Sequence, residues 1–158
     1  ASRFWAVLIG IDAYKTYPLC GCVSDALTME NYLINDLGVP KERIQRLLGP
    51  TEHGSLNNFS VPSRTNIVSS LLNIVQNPEI EVGDNVIIYF SGHGTSYSPS
   101  DVGFDAETGS IEALCPIDRG DLDANDIPIP DISDREINAI LTEISRSKGH
   151  HITFILDC

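Results

Sequence analysis

Two side chains in this sequence together suit nucleophilic catalysis: the imidazole of His93 and the thiol of Cys158. Each follows, within three residues, a short and mostly apolar run, 85–90 or 152–156, that predicts a strand. A cysteine attacks as its thiolate, and a neighbouring imidazole is the group that generates the thiolate. Such a pair requires only that the two strands be neighbours in the sheet. Taken alone, Ser-Gly-His-Gly also fits a turn histidine without a catalytic task.

Apolar strand patterns alternate with helical spacing along the chain. Strands are predicted at 4–11, 43–48, 85–90 and 152–156, and helices are predicted to begin at Ser24, at Ser63 or Thr65, and at Ser133. The last of these starts with a capping-box pattern from Ser133 to Glu136. Residues 95–130 are rich in Ser, Asp, Gly and Pro, and we expect an excursion with one short strand within 111–117.

This alternation predicts an α/β fold with a mostly parallel central sheet and helices on both faces. In such sheets, functional groups gather beyond the carboxyl ends of the strands, where His93 and Cys158 are expected. A chain of 158 residues with 42% apolar content is long enough for one domain or most of one.

The composition disfavours several kinds of partner. The formal net charge is −12, which argues against nucleic acid and anionic membrane surfaces and favours cationic partners. The longest apolar run, near 86–90, is far shorter than the roughly 20 residues that cross a bilayer. Four cysteines in a chain too large to need disulfide staples suggest a reducing, cytoplasmic setting.

Six segments carry a resemblance to a known family. They are 6–11, 19–26, 62–67, 89–94, 113–118 and 153–158, the fourth containing Ser-Gly-His-Gly and the last ending in Asp-Cys. In this order they resemble the large-subunit core of metacaspases, cysteine peptidases of the caspase clan associated with programmed cell death. The resemblance implies a caspase-like three-layer sandwich with His93 as catalytic base. It also implies that 1–158 is a large-subunit core cut at or just before its nucleophile, with the small subunit absent from this chain.

The resemblance leaves two registers for the nucleophile. Metacaspases typically follow the last strand with Asp, a small residue or Cys, the catalytic Cys, and His-Ser-Gly. In that register Asp157 is the pocket aspartate and the nucleophile is the residue immediately after Cys158. In the other register Cys158 is itself the nucleophile. The placement of Asp157 favours the first.

The resemblance also implies a substrate pocket. Cys22, Asp25, Ser91 and Asp157 match the family positions around the residue that precedes the cut bond. Two carboxylates in one partly desolvated pocket would bind Arg or Lys and reject Asp, so basic peptide or protein substrates are expected. The alternative for Asp25 is an ordinary acid at a helix N-terminus.

Many metacaspases bind calcium, and here Asp134 matches one such position. Arg135 and Ile111 stand where acids would be expected, so no cofactor is certain and Ca²⁺ remains possible. The acids between 101 and 134 also fit a solvated loop surface.

Two other functions remain open from the sequence. One is a catalytically inactive caspase-like scaffold or regulatory binding domain. The other is a nucleotide-binding α/β domain, suggested by residues 8–12, although no glycine-rich phosphate loop follows them.

Overall fold

The structure is a computed structural model that describes residues 2–50, 59–98 and 109–158. In chain order the elements are β1 (Phe4–Ile11), α1 (Cys22–Asn35), β2 (Ile44–Gly49), α2 (Arg64–Gln76), β3 (Asn85–Ser91), β4 (Gly94–Tyr97), β5 (Ile111–Leu114), β6 (Ile132–Ser133), α3 (Asp134–Lys148) and β7 (Ile152–Asp157). A single 3₁₀ turn, Lys41–Arg43, precedes β2. Within these described ranges, every helix is too short or too polar to cross a membrane.

The central sheet contains four parallel strands in the order β2-β1-β3-β7. The register places Ser91 opposite Gly10 on one side and opposite Asp157 on the other. Because the strands are parallel, their carboxyl ends lie at one edge of the sheet, and the loops that follow them meet there. The predicted α/β fold is confirmed.

Side chains of β1 alternate between two apolar layers. One layer joins β1 and β3 to α2 and α3; its members include Val7, Ile9, Ile88, Phe90, Ile67, Leu71, Ile140 and Ile144. The other joins the opposite faces of the same strands to α1; its members include Ala6, Leu8, Ile87, Tyr89, Val23 and Ala26. Since successive side chains of a strand point to opposite faces, a continuous apolar run supplies both layers. Helices on both faces complete the three-layer sandwich.

The excursion after β3 contains more strand than the sequence predicts. Instead of one short strand, a small antiparallel sheet forms in the order β4-β5-β6. The prediction was incomplete because β4 is Gly-Thr-Ser-Tyr, with alternating exposed and half-buried residues, and because β6 has only two residues. Neither has an apolar run of its own, so the pairing depends on β5.

The helix starts differ in detail from the predicted patterns. Helix α1 begins at Cys22, two residues before Ser24, because the carboxylate of Asp12 accepts a hydrogen bond from the Cys22 N–H at 2.9 Å. At α3, the Ser133 hydroxyl caps the Glu136 N–H at 3.2 Å as expected. The other half of the capping box is absent, since Glu136 pairs with Arg64 on α2 instead.

Candidate active site

The tips of β3 and β7 bring His93 and Cys158 to the same place. Ser91 and Asp157 are register partners in the parallel pair, and His93 and Cys158 follow them by two residues and one residue. A Cβ built on Gly94 would lie only 3.2 Å from the Cys158 sulfur. The thiol therefore lies against the backbone next to His93, and only glycine fits there without displacing it.

The His93 ring is oriented by a backbone carbonyl. Its Nε2 lies 2.7 Å from the carbonyl oxygen of Tyr17, in the loop after β1. A carbonyl only accepts hydrogen bonds, so Nε2 donates its hydrogen there and Nδ1 of the neutral ring keeps a free lone pair. Nδ1 is thus the ring nitrogen available to accept a proton. Tyr17 adopts φ 56°, a left-handed conformation uncommon for a residue with a side chain.

A buried tyrosine holds the backbone at the histidine. The Tyr14 hydroxyl accepts a hydrogen bond from the His93 N–H at 3.0 Å and donates one to the Cys115 carbonyl at 2.9 Å. Its ring lies 4.6 Å from the His93 ring, centroid to centroid. Burial raises the pKa of Tyr14 far above its usual value, so the hydroxyl keeps its proton. Gly92 is required, since a Cβ there would stand 2.5 Å from this hydroxyl.

An acidic pocket lies beside the two strand tips. Asp25 from α1 and Asp157 from β7 line one cavity of about 270 Å³, together with Tyr89. The Tyr89 hydroxyl donates to Asp157 at 2.9 Å, and burial together with this carboxylate raises the pKa of Tyr89 to about 12. Both aspartates are exposed to solvent. The cavity therefore has two solvent-accessible carboxylates in its lining.

The two other predicted pocket residues support this cavity from within the protein. The Ser91 hydroxyl is buried and donates to Asp157 at 3.4 Å, and it also interacts with the Cys22 thiol. Burial raises the pKa of Cys22, and the nearby Asp12 carboxylate acts in the same direction. Cys22 therefore remains a neutral thiol. All four residues predicted around the pocket thus lie in one continuous patch.

Comparisons with known proteins address the family of this chain. The family model described as "Metacaspase, peptidase C14 domain" matches residues 5–158. The chain belongs to the metacaspase family. Among curated metacaspases, metacaspase-3 of Arabidopsis thaliana is 34% identical over 115 residues, covering 72% of this chain and 30% of that protein. Metacaspase-7 of the same plant is 30% identical over 153 residues, covering 96% and 33%.

A fungal relative and a solved structure extend these comparisons. Metacaspase-1A of Aspergillus oryzae is 30% identical over 114 residues, covering 72% of this chain and 25% of that protein. This chain thus spans about a quarter to a third of the curated metacaspases it matches. A crystal structure of a Geobacter sulfurreducens protein superposes with a TM-score of 0.62 at 17% identity, covering 97% of this chain and 48% of that one. It supports the fold alone.

The metacaspase calcium position does not form a site among the described residues. Asp134 accepts a hydrogen bond from the Arg135 N–H at 2.8 Å, in the first turn of α3. In residues 2–50, 59–98 and 109–158, no three His, Cys, Asp or Glu side chains are placed to share a metal. Calcium takes six to eight oxygen ligands, so the described acids do not fit it. Residues 99–108 of the predicted acidic excursion lie outside the described part.

Sequence reasoning missed Tyr14 and Tyr17 in this candidate site. The available signal was their position: both follow the first buried strand, whose carboxyl end lies at the same edge as His93. The same edge carries Asp12, whose buried carboxylate caps α1 and so helps to place Asp25.

Proposed function

We propose that this protein is a cysteine endopeptidase that cleaves after Arg or Lys. The observation that carries the proposal is the position of His93 and Cys158 at the ends of neighbouring strands, beside a cavity lined by Asp25 and Asp157. The metacaspase family supplies the reaction class, a thiolate-based peptidase. The nucleophile is the residue immediately after Cys158 or Cys158 itself, which follows the end of β7.

The reaction follows from the orientation of the imidazole. Nδ1 of His93 takes the proton of the nucleophilic thiol, and the sulfur attacks the carbonyl carbon of the scissile peptide. The Tyr17 carbonyl holds Nε2–H throughout and favours the imidazolium that forms. The imidazolium then gives its proton to the leaving nitrogen as the C–N bond breaks, which leaves a thioester. Water, deprotonated by His93, hydrolyses the thioester and restores the thiol.

The specificity follows from the charges of the pocket. A guanidinium or ammonium group entering the cavity pairs with Asp25 and Asp157, whereas an aspartate side chain would add a third negative charge. The Tyr89 and Ser91 hydroxyls both donate to one oxygen, Oδ2 of Asp157, which fixes that carboxylate. The other oxygen, Oδ1, remains for the substrate.

The activity test uses the intact protein and coumarin amides of peptides ending in Arg, Lys or Asp. We expect cleavage after Arg and Lys only, with His93→Ala lowering kcat/KM by roughly 10³-fold or more. His150→Ala is the matched control, because His150 lies just before the opposite end of β7, where its Nδ1 is hydrogen-bonded to the Ser145 hydroxyl. No cleavage by the intact protein, or cleavage retained in His93→Ala, would overturn the proposal and favour the inactive scaffold.

The pocket is tested by charge removal. Asp157→Asn and Asp25→Asn are each expected to lower kcat/KM for Arg substrates about tenfold or more, since each removes a partner of the substrate cation. Asp36→Asn, just beyond the far end of α1, is the control and is expected to keep the wild-type value. Wild-type kcat/KM for Arg substrates in all three variants would show that the arginine of the substrate binds outside this cavity.

We further propose that 1–158 acts as the large-subunit core of a longer peptidase. Strand β7 lies at the edge of the central sheet, next to a groove lined by Ile137, Leu141, Phe154 and Leu156. A small subunit that adds a strand to this edge would cover the groove. The expected result is activity in the intact protein and none in residues 1–158 alone.

A further inference from the structure

A second cleft at the strand tips also contains His93. It encloses about 710 Å³ between the loop after β1, which contributes Tyr14 and Tyr17, and residues 119–131, which contribute Ile129. The acidic pocket is built from other elements, namely α1 and the ends of β3 and β7. The imidazole therefore lines a cavity that is distinct from the acidic pocket.

We propose that this cleft, called here the leaving-side cleft, binds the residues that follow the scissile bond and prefers an apolar or aromatic side chain in the first of them. The inference rests on the proposed function. In a histidine-assisted cleavage, the imidazolium protonates the leaving nitrogen, so the segment after the cut bond must pass the ring. With the preceding basic residue in the acidic pocket, the cavity that His93 itself lines lies next to the ring that this segment must pass.

The walls of the leaving-side cleft favour apolar side chains. About half of the residues that line it are aromatic or aliphatic, among them Tyr14, Tyr17, Tyr97, Ile117, Pro128 and Ile129. Its charged groups already have partners. Arg119 donates to both oxygens of Asp131 at 2.9 and 2.7 Å, and Lys15 pairs with Asp121. A charged substrate residue would have to compete with these pairs, whereas an apolar one gains contact area with the walls.

The cleft is held open by contacts across its walls. Ile129 and Gly120 belong to a hairpin-like segment closed by two backbone hydrogen bonds, Gly120 N–H to Ile129 O at 2.8 Å and Ile129 N–H to Asp121 O at 2.7 Å. The Lys15–Asp121 pair ties this segment to the loop that carries Tyr17. A preformed cleft lowers the ordering cost of binding.

The experiment measures specificity with peptides that differ only in the first residue after an Arg–X bond, X being Phe, Leu, Ser or Asp. For the intact protein we expect kcat/KM to be at least tenfold higher for Phe and Leu than for Asp. Ile129→Asp is expected to remove most of this preference. Ile127→Asp is the matched control, since Ile127 is 58% exposed in the same segment and does not line the cleft.

A second variant covers the case in which Ile129→Asp fails to fold. Tyr17→Asn removes the ring from the opposite wall, while asparagine tolerates the positive φ at that position. It is expected to reduce the Phe preference several-fold. In the coumarin amides no amino acid follows the scissile bond. Their cleavage therefore tests the proposed function independently of the leaving-side cleft.

Two results overturn the inference. One is equal kcat/KM for the four peptides in an enzyme that cleaves the coumarin amides. The other is a ratio of kcat/KM for the Phe peptide over the Asp peptide that is the same in Ile129→Asp and Tyr17→Asn as in the control Ile127→Asp. Failure of the intact protein to cleave any substrate overturns the proposed function itself, and the inference with it.

Discussion

At the scale of single residues, one hydroxyl organises the backbone of the site. Tyr14 accepts from the His93 N–H and donates to the Cys115 carbonyl, while the Cys115 N–H donates to the His93 carbonyl at 3.0 Å. These three hydrogen bonds close a ring that joins the loop after β1, the turn that contains His93 and the end of β5. The position of the imidazole therefore depends on a residue outside the Ser-Gly-His-Gly motif.

Replacing this hydroxyl tests its contribution. Tyr14→Phe keeps the aromatic packing but leaves the His93 N–H and the Cys115 carbonyl without their partner. We expect the free energy of unfolding to fall by about 1–3 kcal/mol. Urea unfolding of the intact protein measures the change. Tyr32→Phe, whose residue is 50% exposed on α1, is the control and should change stability by less than about 0.5 kcal/mol. Equal stability of the two variants would contradict the expectation.

The sequence predicts the site residues unevenly. His93 was recognisable because two glycines flank it and a buried strand precedes it. Tyr14 was not, because its partner His93 lies 79 positions away and no local pattern marks the pair. Tyr17 acts through its backbone carbonyl, so its residue type carries no signal for this contact.

At the scale of elements, an ion pair connects the two helices that cover one face of the sheet. Arg64 begins α2, and its Nη2 lies 2.7 and 2.6 Å from the two oxygens of Glu136 in the first turn of α3. Both side chains are about a quarter to a third exposed. Because α3 leads directly into β7, this pair helps to set the strand that carries Asp157 and Cys158.

A double-mutant cycle measures this contact. We expect Arg64→Ala and Glu136→Ala to show a coupling of about 1 kcal/mol, the upper end of the range for pairs that retain some exposure. The same cycle on Glu143 and Arg146, an exposed pair on α3, is the control and should give about 0.3 kcal/mol or less. Thermal or urea unfolding provides the four free energies. Coupling no larger than in the control pair would indicate that helix packing alone joins α2 and α3.

The elements that the sequence predicts are those with an apolar period of their own. Strands β1, β3 and β7 and the three helices have one, and the structure places each within one or two residues of its predicted start. Strands β4 and β6 do not, since they form only through pairing with β5. Only one of the two hydrogen bonds of the predicted capping box forms at α3, from the Glu136 N–H to the Ser133 hydroxyl. The Glu136 carboxylate instead binds Arg64 at the start of α2, a partner that the local sequence does not reveal.

At the scale of the whole molecule, the net charge of −12 reflects an excess of carboxylates. The free energy of unfolding therefore depends on pH through the carboxylates whose pKa differs between the folded and unfolded states. Asp84 is buried at the amino end of the sheet and accepts hydrogen bonds from Arg3, Trp5 and the Glu81 N–H. Burial alone would raise the pKa of Asp84, but these donors outweigh it and lower that pKa below 3.8. The ionised carboxylate therefore stabilises the folded state above its ordinary pKa, and this contribution disappears as the pH falls through the lowered value.

Replacing Asp84 should change the response to acid. Asp84→Asn is expected to lower stability at neutral pH by about 1–3 kcal/mol, because it removes a charged acceptor from three donors. It should also flatten the fall in stability below pH 4, since one carboxylate fewer has to be protonated. Unfolding curves of the intact protein between pH 2.5 and pH 7 measure both effects, with Asp36→Asn as the control. A slope identical to that of the wild type would contradict the expectation.

The order of strands in the sheet also sets the timing of assembly. Strand β7 follows the other described elements along the chain and pairs with β3, so Cys158 emerges from the ribosome after His93 and Asp25. A nascent chain synthesised only as far as α3 already contains His93 and Asp25 but lacks Asp157 and Cys158. The acidic pair of Asp25 and Asp157, and the approach of Cys158 to His93, therefore form only after β7 has been synthesised and has paired with β3.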